Sequence, residues 1–270
     1  MNVAYTGWTW LVSHKDNREY DLEQSIKECK YLGYDYLENF AFIADFYEDP
    51  QVLVDLLNKY DAKMVNLYGH FRDDPENDYA TSVKQIDFLA AIGGTHYNCQ
   101  GSCWNEAPFV RPLNEQTVKM YADLCNRLGE YAKDKGVVIC FHPHANSAVF
   151  AEDQIDYFVA NTNPALVSLC LDTAHTTIAG MDAPTAFAKY IDRIAYVHLK
   201  DVDPAAAKSE RPMSSFRALG LGTVDFVGVL AELRKGGYDG TLCVELDTPE
   251  VCNYQSAEVS RKYIRNALKL

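Results

Sequence analysis

The chain is predicted to be an α/β protein, a single (β/α)8 barrel, from three observations. Its 270 residues suit one such domain. Eight short apolar runs alternate with eight helical patterns. Several of the later runs end in His, Asp or Glu, and a TIM barrel carries its chemistry at the C-terminal ends of its strands.

The strand runs fall at 2–7 (NVAYTG), 34–38 (YDYLE), 63–68 (KMVNLY), 94–98 (GTHYN), 137–142 (VVICFH), 166–172 (LVSLCLD), 194–199 (IAYVHL) and 241–246 (TLCVEL). Helical patterns occupy 21–31, 50–60, 79–91, 114–135, 151–161, 183–190, 225–235 and 256–268. Asp21, Asn114 and Asp225 are placed to accept from unpaired N–H groups at helix starts, and Pro184 suits a first turn where a missing N–H costs nothing. Gly33, Gly93, Gly136 and Gly237 each stand between a helix and the next strand, where a left-handed residue stops the helix. An open, doubly wound sheet is the other architecture this alternation permits. No change of composition marks a linker, so residues 1–270 read as one domain.

A formal charge of -13 argues against a protein that grips a phosphate backbone. No run approaches the ~20 apolar residues that cross a bilayer, and the first residues lack the basic and apolar regions of a signal peptide. Cys140, Cys170 and Cys243 lie inside apolar runs as small hydrophobes, pointing to a reduced, cytoplasmic protein. Cys99 and Cys103 have the spacing of half a zinc site but no second thiolate pair. The chain has no GxGxxG, Walker or GxSxG motif. A homodimer or other homo-oligomer is compatible with all of this.

Residues two apart on a strand share a face. His142, Asp172, His198 and Glu245 therefore aim at one point on the rim, a set of two imidazoles and two carboxylates for one divalent ion. Manganese ranks first for this mixed set, with cobalt, zinc, iron and magnesium as alternatives. His144 faces the same cavity as a candidate base. His175 is placed to bind a hydroxyl or assist a proton transfer, and Lys200 to hold a keto oxygen unless Asp201 or Asp172 engages it. Trp8, Glu38, His70, Asn98, Trp104 and Arg217 follow or end other runs as candidate substrate contacts. Indoles beside polar groups suit a sugar, which presents hydroxyls and apolar C–H faces in turn.

The strings FHPHAN (141–146), LDTAHTTIAG (171–180), VHLKD (197–201), LGLGTVDF (219–226) and GYDGTLCVELD (237–247) resemble the xylose-isomerase-like barrel superfamily of sugar isomerases and epimerases. The resemblance covers essentially the whole chain. It implies that Asp172, His198 and Glu245 are metal ligands, and that the enzyme takes a proton from the carbon next to a carbonyl through an enediolate. His142 stands where those epimerases carry a glutamate, so their two-glutamate proton transfer does not carry over unchanged. His142 with His144, and GWT at 7–9, are similar to the keto-inositol dehydratase branch. The resemblance thus implies an isomerase or epimerase of a keto-sugar or keto-polyol, or alternatively a lyase of the 2-keto-myo-inositol dehydratase type. In that lyase His144 would be the base, and Glu245 or His175 the acid. The superfamily's endonucleases for damaged DNA share a pattern like His70, Asp172, His175, His198 and Glu245, but too few further ligands are present for their three-metal cluster.

Overall fold

The computed structural model describes residues 1–13, 18–104, 106, 110–205 and 215–270. Strands β1 (Asn2–Thr6), β2 (Tyr36–Phe40), β3 (Lys63–His70), β4 (His96–Gln100), β5 (Val138–Phe141), β6 (Val167–Asp172) and β7 (Ile194–Leu199) run parallel in sequence order. A short antiparallel pair, β8 (Asp201–Val202) with β9 (Phe216–Arg217), stands outside the barrel. Strand β10 (Thr241–Val244) then pairs with both β7 and β1 and closes it. Closure excludes the open doubly wound sheet.

The enclosing helices are α1 (Trp8–Ser13), α2 (Arg18–Leu32), α3 (Pro50–Lys59), α4 (Pro75–Ala91), α5 (Glu115–Ala132), α6 (Glu152–Ala160), α7 (Thr173–Ile178), α8 (Ala183–Lys189), α9 (Phe226–Lys235) and α10 (Asn253–Tyr263). Helix α5 shows how sequence makes them. Asn114 accepts from Thr117 N at 3.2 Å, and Val118, Tyr121, Ala122, Cys125 and Leu128 recur at helical spacing and are buried. Fully burying an aliphatic or aromatic side chain stabilises the fold by about 1.5–3 kcal/mol, so that face fixes the helix against the sheet. Asp225 caps α9 by accepting from Gly228 N at 2.8 Å, and Pro184 sits in the first turn of α8. Asp21 is not the start of its helix, because α2 begins at Arg18 and encloses it. Gly93 and Gly237 take φ of 81° and 74°, the left-handed conformation that lets the chain leave a helix.

Two differences from the predicted elements matter for the site. Strands β2 and β4 each run two residues further than their apolar patterns, to Phe40 and Gln100. Glu38 and Asn98 therefore lie inside the barrel instead of at its rim. Helices α1 and α7 were also hidden, since each has six residues, too few to show a helical period. Among the described residues no helix is long and apolar enough to cross a membrane.

Candidate metal centre and active site

Asp172 is the last residue of β6 and pairs in register with His198 on β7; His142 and Glu245 stand one residue beyond β5 and β10. The barrel brings all four to its C-terminal rim. One donor atom from each lies within 4.8 Å of the others, and all four side chains are buried. His198 Nδ1 is 2.8 Å from Glu245 Oε2 and 3.9 Å from Asp172 Oδ2, while His142 Nε2 is 3.8 Å from Asp172 Oδ2. Two donors of one ion with bonds of ~2.1 Å sit roughly 3–4 Å apart, so the spacing suits a single divalent cation. His142 Nε2 and Asp172 Oδ2 lack a hydrogen-bond partner within the protein, and His198 Nδ1 and Glu245 Oε2 meet only each other, in poor hydrogen-bond geometry. Buried polar atoms are normally satisfied, so four under-satisfied donors converging on one point suit a divalent cation. The described residues thus contain a site for a divalent metal.

His144 and His175 stand against this cluster, with ring centroids 5.5 and 5.3 Å from that of His142 and 4.0 Å from each other. The backbone of Ala145 assigns their protons. Its carbonyl oxygen lies 2.7 Å from His144 Nδ1 and can only accept, so Nδ1 carries the hydrogen and Nε2 keeps a lone pair. Its N–H donates to His175 Nδ1 at 3.3 Å, leaving the hydrogen of that ring on Nε2, which is buried without a partner. Burial, followed by nearby imidazoles and Lys200, holds both rings well below the usual imidazole pKa. Both are neutral, one offering a lone pair and the other an N–H.

Lys200 is fully buried, its Nζ 2.8 Å from Asp247 and 3.3 Å from Glu245, over the ring of Phe216 at 4.2 Å. Burial opposes its charge, but Asp247, Glu245 and Asp172 outweigh that and keep it protonated. Asp201, a candidate partner for Lys200, instead accepts from the backbone N–H groups of Gly220, Gly222 and Val224. Asp247 is the partner the sequence pattern missed, although it follows Glu245 by two residues just beyond β10. Tyr68 was missed too. It ends a predicted run, and its ring stacks on His198 at 5.9 Å and meets His142 edge-on at 5.4 Å while its hydroxyl bonds Gln100.

The remaining candidates separate. Trp8 stacks on Phe40 at 4.7 Å, and His70 meets Phe40 and Tyr68 edge-on at 5.0 Å each, forming one aromatic wall beside the cluster. His70 remains at this wall and supplies no donor to the metal cluster. Trp10 belongs to the core, where its Nε1 donates to Glu28 at 2.7 Å. Trp104 packs under the Arg111 guanidinium at 4.1 Å, and its backbone N–H holds the loop after β5 through Asn146 O. Arg217 lies on β9 with Nε 3.5 Å from Glu250, and residues 206–214 before it are outside the described residues. Glu38 and Asn98 do not line an open pocket; they bond each other and His198 beneath the cluster. All eight cysteines are free. Cys99 faces Cys125 whereas Cys103 faces His144, so the two form no zinc pair.

A closed parallel barrel whose rim gathers His, Asp and Glu donors into one buried cluster is the framework of a metal-dependent enzyme. The chain belongs to the xylose isomerase-like TIM barrel family, whose profile matches residues 26–267. The inosose dehydratase of Geobacillus thermodenitrificans is 34% identical over 294 aligned positions, covering 100% of this chain and 97% of that protein. That of Lacticaseibacillus casei is 28% identical, covering 98% and 95%. Among solved structures, the IOLI protein with a bound zinc atom superposes with a TM-score of 0.78 at 19% identity, over 98% of this chain and 97% of that one.

Proposed function

We propose that this protein is a divalent-metal-dependent dehydratase that removes water from a keto-polyol of the inosose type. The full-length similarity to inosose dehydratases carries the choice of reaction, and it reverses the order suggested by the motifs alone, which put isomerisation or epimerisation first. In this reading His142, Asp172, His198 and Glu245 hold the metal. The donor set suits manganese, and the zinc in the IOLI structure makes zinc the next candidate. A divalent ion held there would supply Lewis-acid polarisation of the substrate carbonyl.

The protein's own groups handle the protons. His144 Nε2 takes the proton from the carbon next to the carbonyl, and the C–H electron pair moves into the enediolate. When that pair returns to form C=C, the β-hydroxyl departs with the proton that His144 Nε2 took up, while the His175 Nε2–H hydrogen-bonds the leaving oxygen, so both rings end neutral. One C–H and one C–OH become C=C and H2O. Lys200 holds charge on the substrate oxygens, while Trp8 and His70 offer ring surface to its C–H face. Trp104, after β4, and Arg217, on β9, stand as further candidate contacts for the substrate.

Incubating the metal-loaded enzyme with a keto-inositol tests this reading. The product is expected to be lighter by one water and to absorb as an enone or dione. A product of unchanged mass would reject dehydration in favour of isomerisation or epimerisation.

A further inference from the structure

His198 is gripped at both ring nitrogens. Its Nδ1 faces Glu245 and Asp172 at the rim, while its Nε2 lies 3.0 Å from Glu38 one layer deeper in the barrel. Asn98 Nδ2 donates to the same Glu38 carboxylate at 3.0 Å and comes within 3.5 Å of His198 Nε2. Glu38 is 3% exposed and His198 0%, so no solvent competes for these bonds. Carboxylates face both ring nitrogens, Glu245 at Nδ1 and Glu38 at Nε2, and both only accept; a metal held at Nδ1 would replace the hydrogen there and leave the other on Nε2 against Glu38. A bond on the far nitrogen also fixes the ring plane and raises the basicity of the near one.

We infer that Glu38 is a positioning residue for the metal centre, acting through His198 and itself held in place by Asn98. This rests on reading the rim cluster as a metal centre. It explains why a carboxylate stands inside the barrel, with His198 and Cys243 beside it and Asn98 bonded to it. Without a bonded partner, such burial would be costly.

The decisive measurement is metal affinity of the chelator-stripped protein, by calorimetry with Mn2+ and Zn2+. Glu38→Gln keeps the shape of the side chain but offers His198 a weaker acceptor. It should bind metal about 10–100-fold more weakly than wild type, with an unchanged apoprotein circular-dichroism spectrum. Affinity within twofold of wild type would overturn the inference. Asp172→Asn, run in parallel, separates the two readings. If it too binds like wild type, the metal centre itself is misassigned; if it alone loses metal, only the role of Glu38 falls. Should Glu38→Gln not fold, 15N-histidine NMR of the zinc-loaded wild type decides. Metal on Nδ1 and hydrogen on Nε2 of His198 supports the inference, and the reverse arrangement overturns it.

Discussion

The His144 and His175 rings lie 4.0 Å apart and carry their hydrogens on different nitrogens, because one backbone residue, Ala145, accepts from the first ring and donates to the second. Side by side, the pair presents a lone pair and an N–H without either ring having to titrate first. This division of labour suits an elimination in which one ring takes the proton from carbon and its neighbour hydrogen-bonds the leaving hydroxyl.

His144→Ala should therefore lose about two to four decades in kcat, with metal content unchanged because the ring supplies no donor to the cluster. His175→Ala should slow water loss more than proton loss. Pre-steady-state absorbance and washout of substrate deuterium would separate these steps. Full activity in His144→Ala would remove that residue from the mechanism.

The pH profile follows from the same burial. His144 is held well below the ordinary imidazole pKa by desolvation first, then by His142 and Lys200. A base works above its own pKa, so a lowered value extends activity toward acid. The kcat/KM profile should stay level through pH of about 6.5, the ordinary imidazole value. An acid limb centred there, and abolished in His144→Gln, would contradict the assignment.

Metal removal should silence the enzyme and leave the barrel standing, since the packed layers lie below the rim. Asp172 also holds local structure, because its Oδ1 accepts from His175 N at 2.7 Å and caps α7. Asp172→Asn retains a capping group and should lose metal without much loss of stability, whereas Asp172→Ala should also cost about 1 kcal/mol. Calorimetry and thermal melts on the two apoproteins would read the difference.

The barrel and the convergence of His142, Asp172, His198 and Glu245 were legible in the sequence because strand parity and apolar runs are local patterns. Glu38 and Asn98 were misplaced for a related reason. Their strands continue through Asn39–Phe40 and Cys99–Gln100, where polar residues end the apolar signal before the strand ends. The partner of Lys200 was hidden because three acids, Asp172, Asp201 and Asp247, compete for it in sequence. Only the third dimension shows that Asp201 turns to the loop at 220–224. The opposite tautomers of His144 and His175 rest on backbone hydrogen bonds that no residue pattern encodes.

Lys200 and Asp247 form the buried ion pair most exposed to mutation. Taking two charges out of water is costly and is offset only while both remain. Asp247→Ala removes the 2.8 Å partner of a buried ammonium and leaves it to Glu245 at 3.3 Å and the charge of Asp172, and should destabilise the apoprotein by about 3 kcal/mol. Removing both charges with Lys200→Met and Asp247→Leu together should restore much of that stability while leaving the enzyme inactive, because nothing then holds charge on the substrate oxygens. Chemical denaturation of the single and double variants supplies the stability cycle, and steady-state kinetics supplies the activity. A double variant that regains stability and also turns over at the wild-type rate would reduce Lys200 to a structural residue.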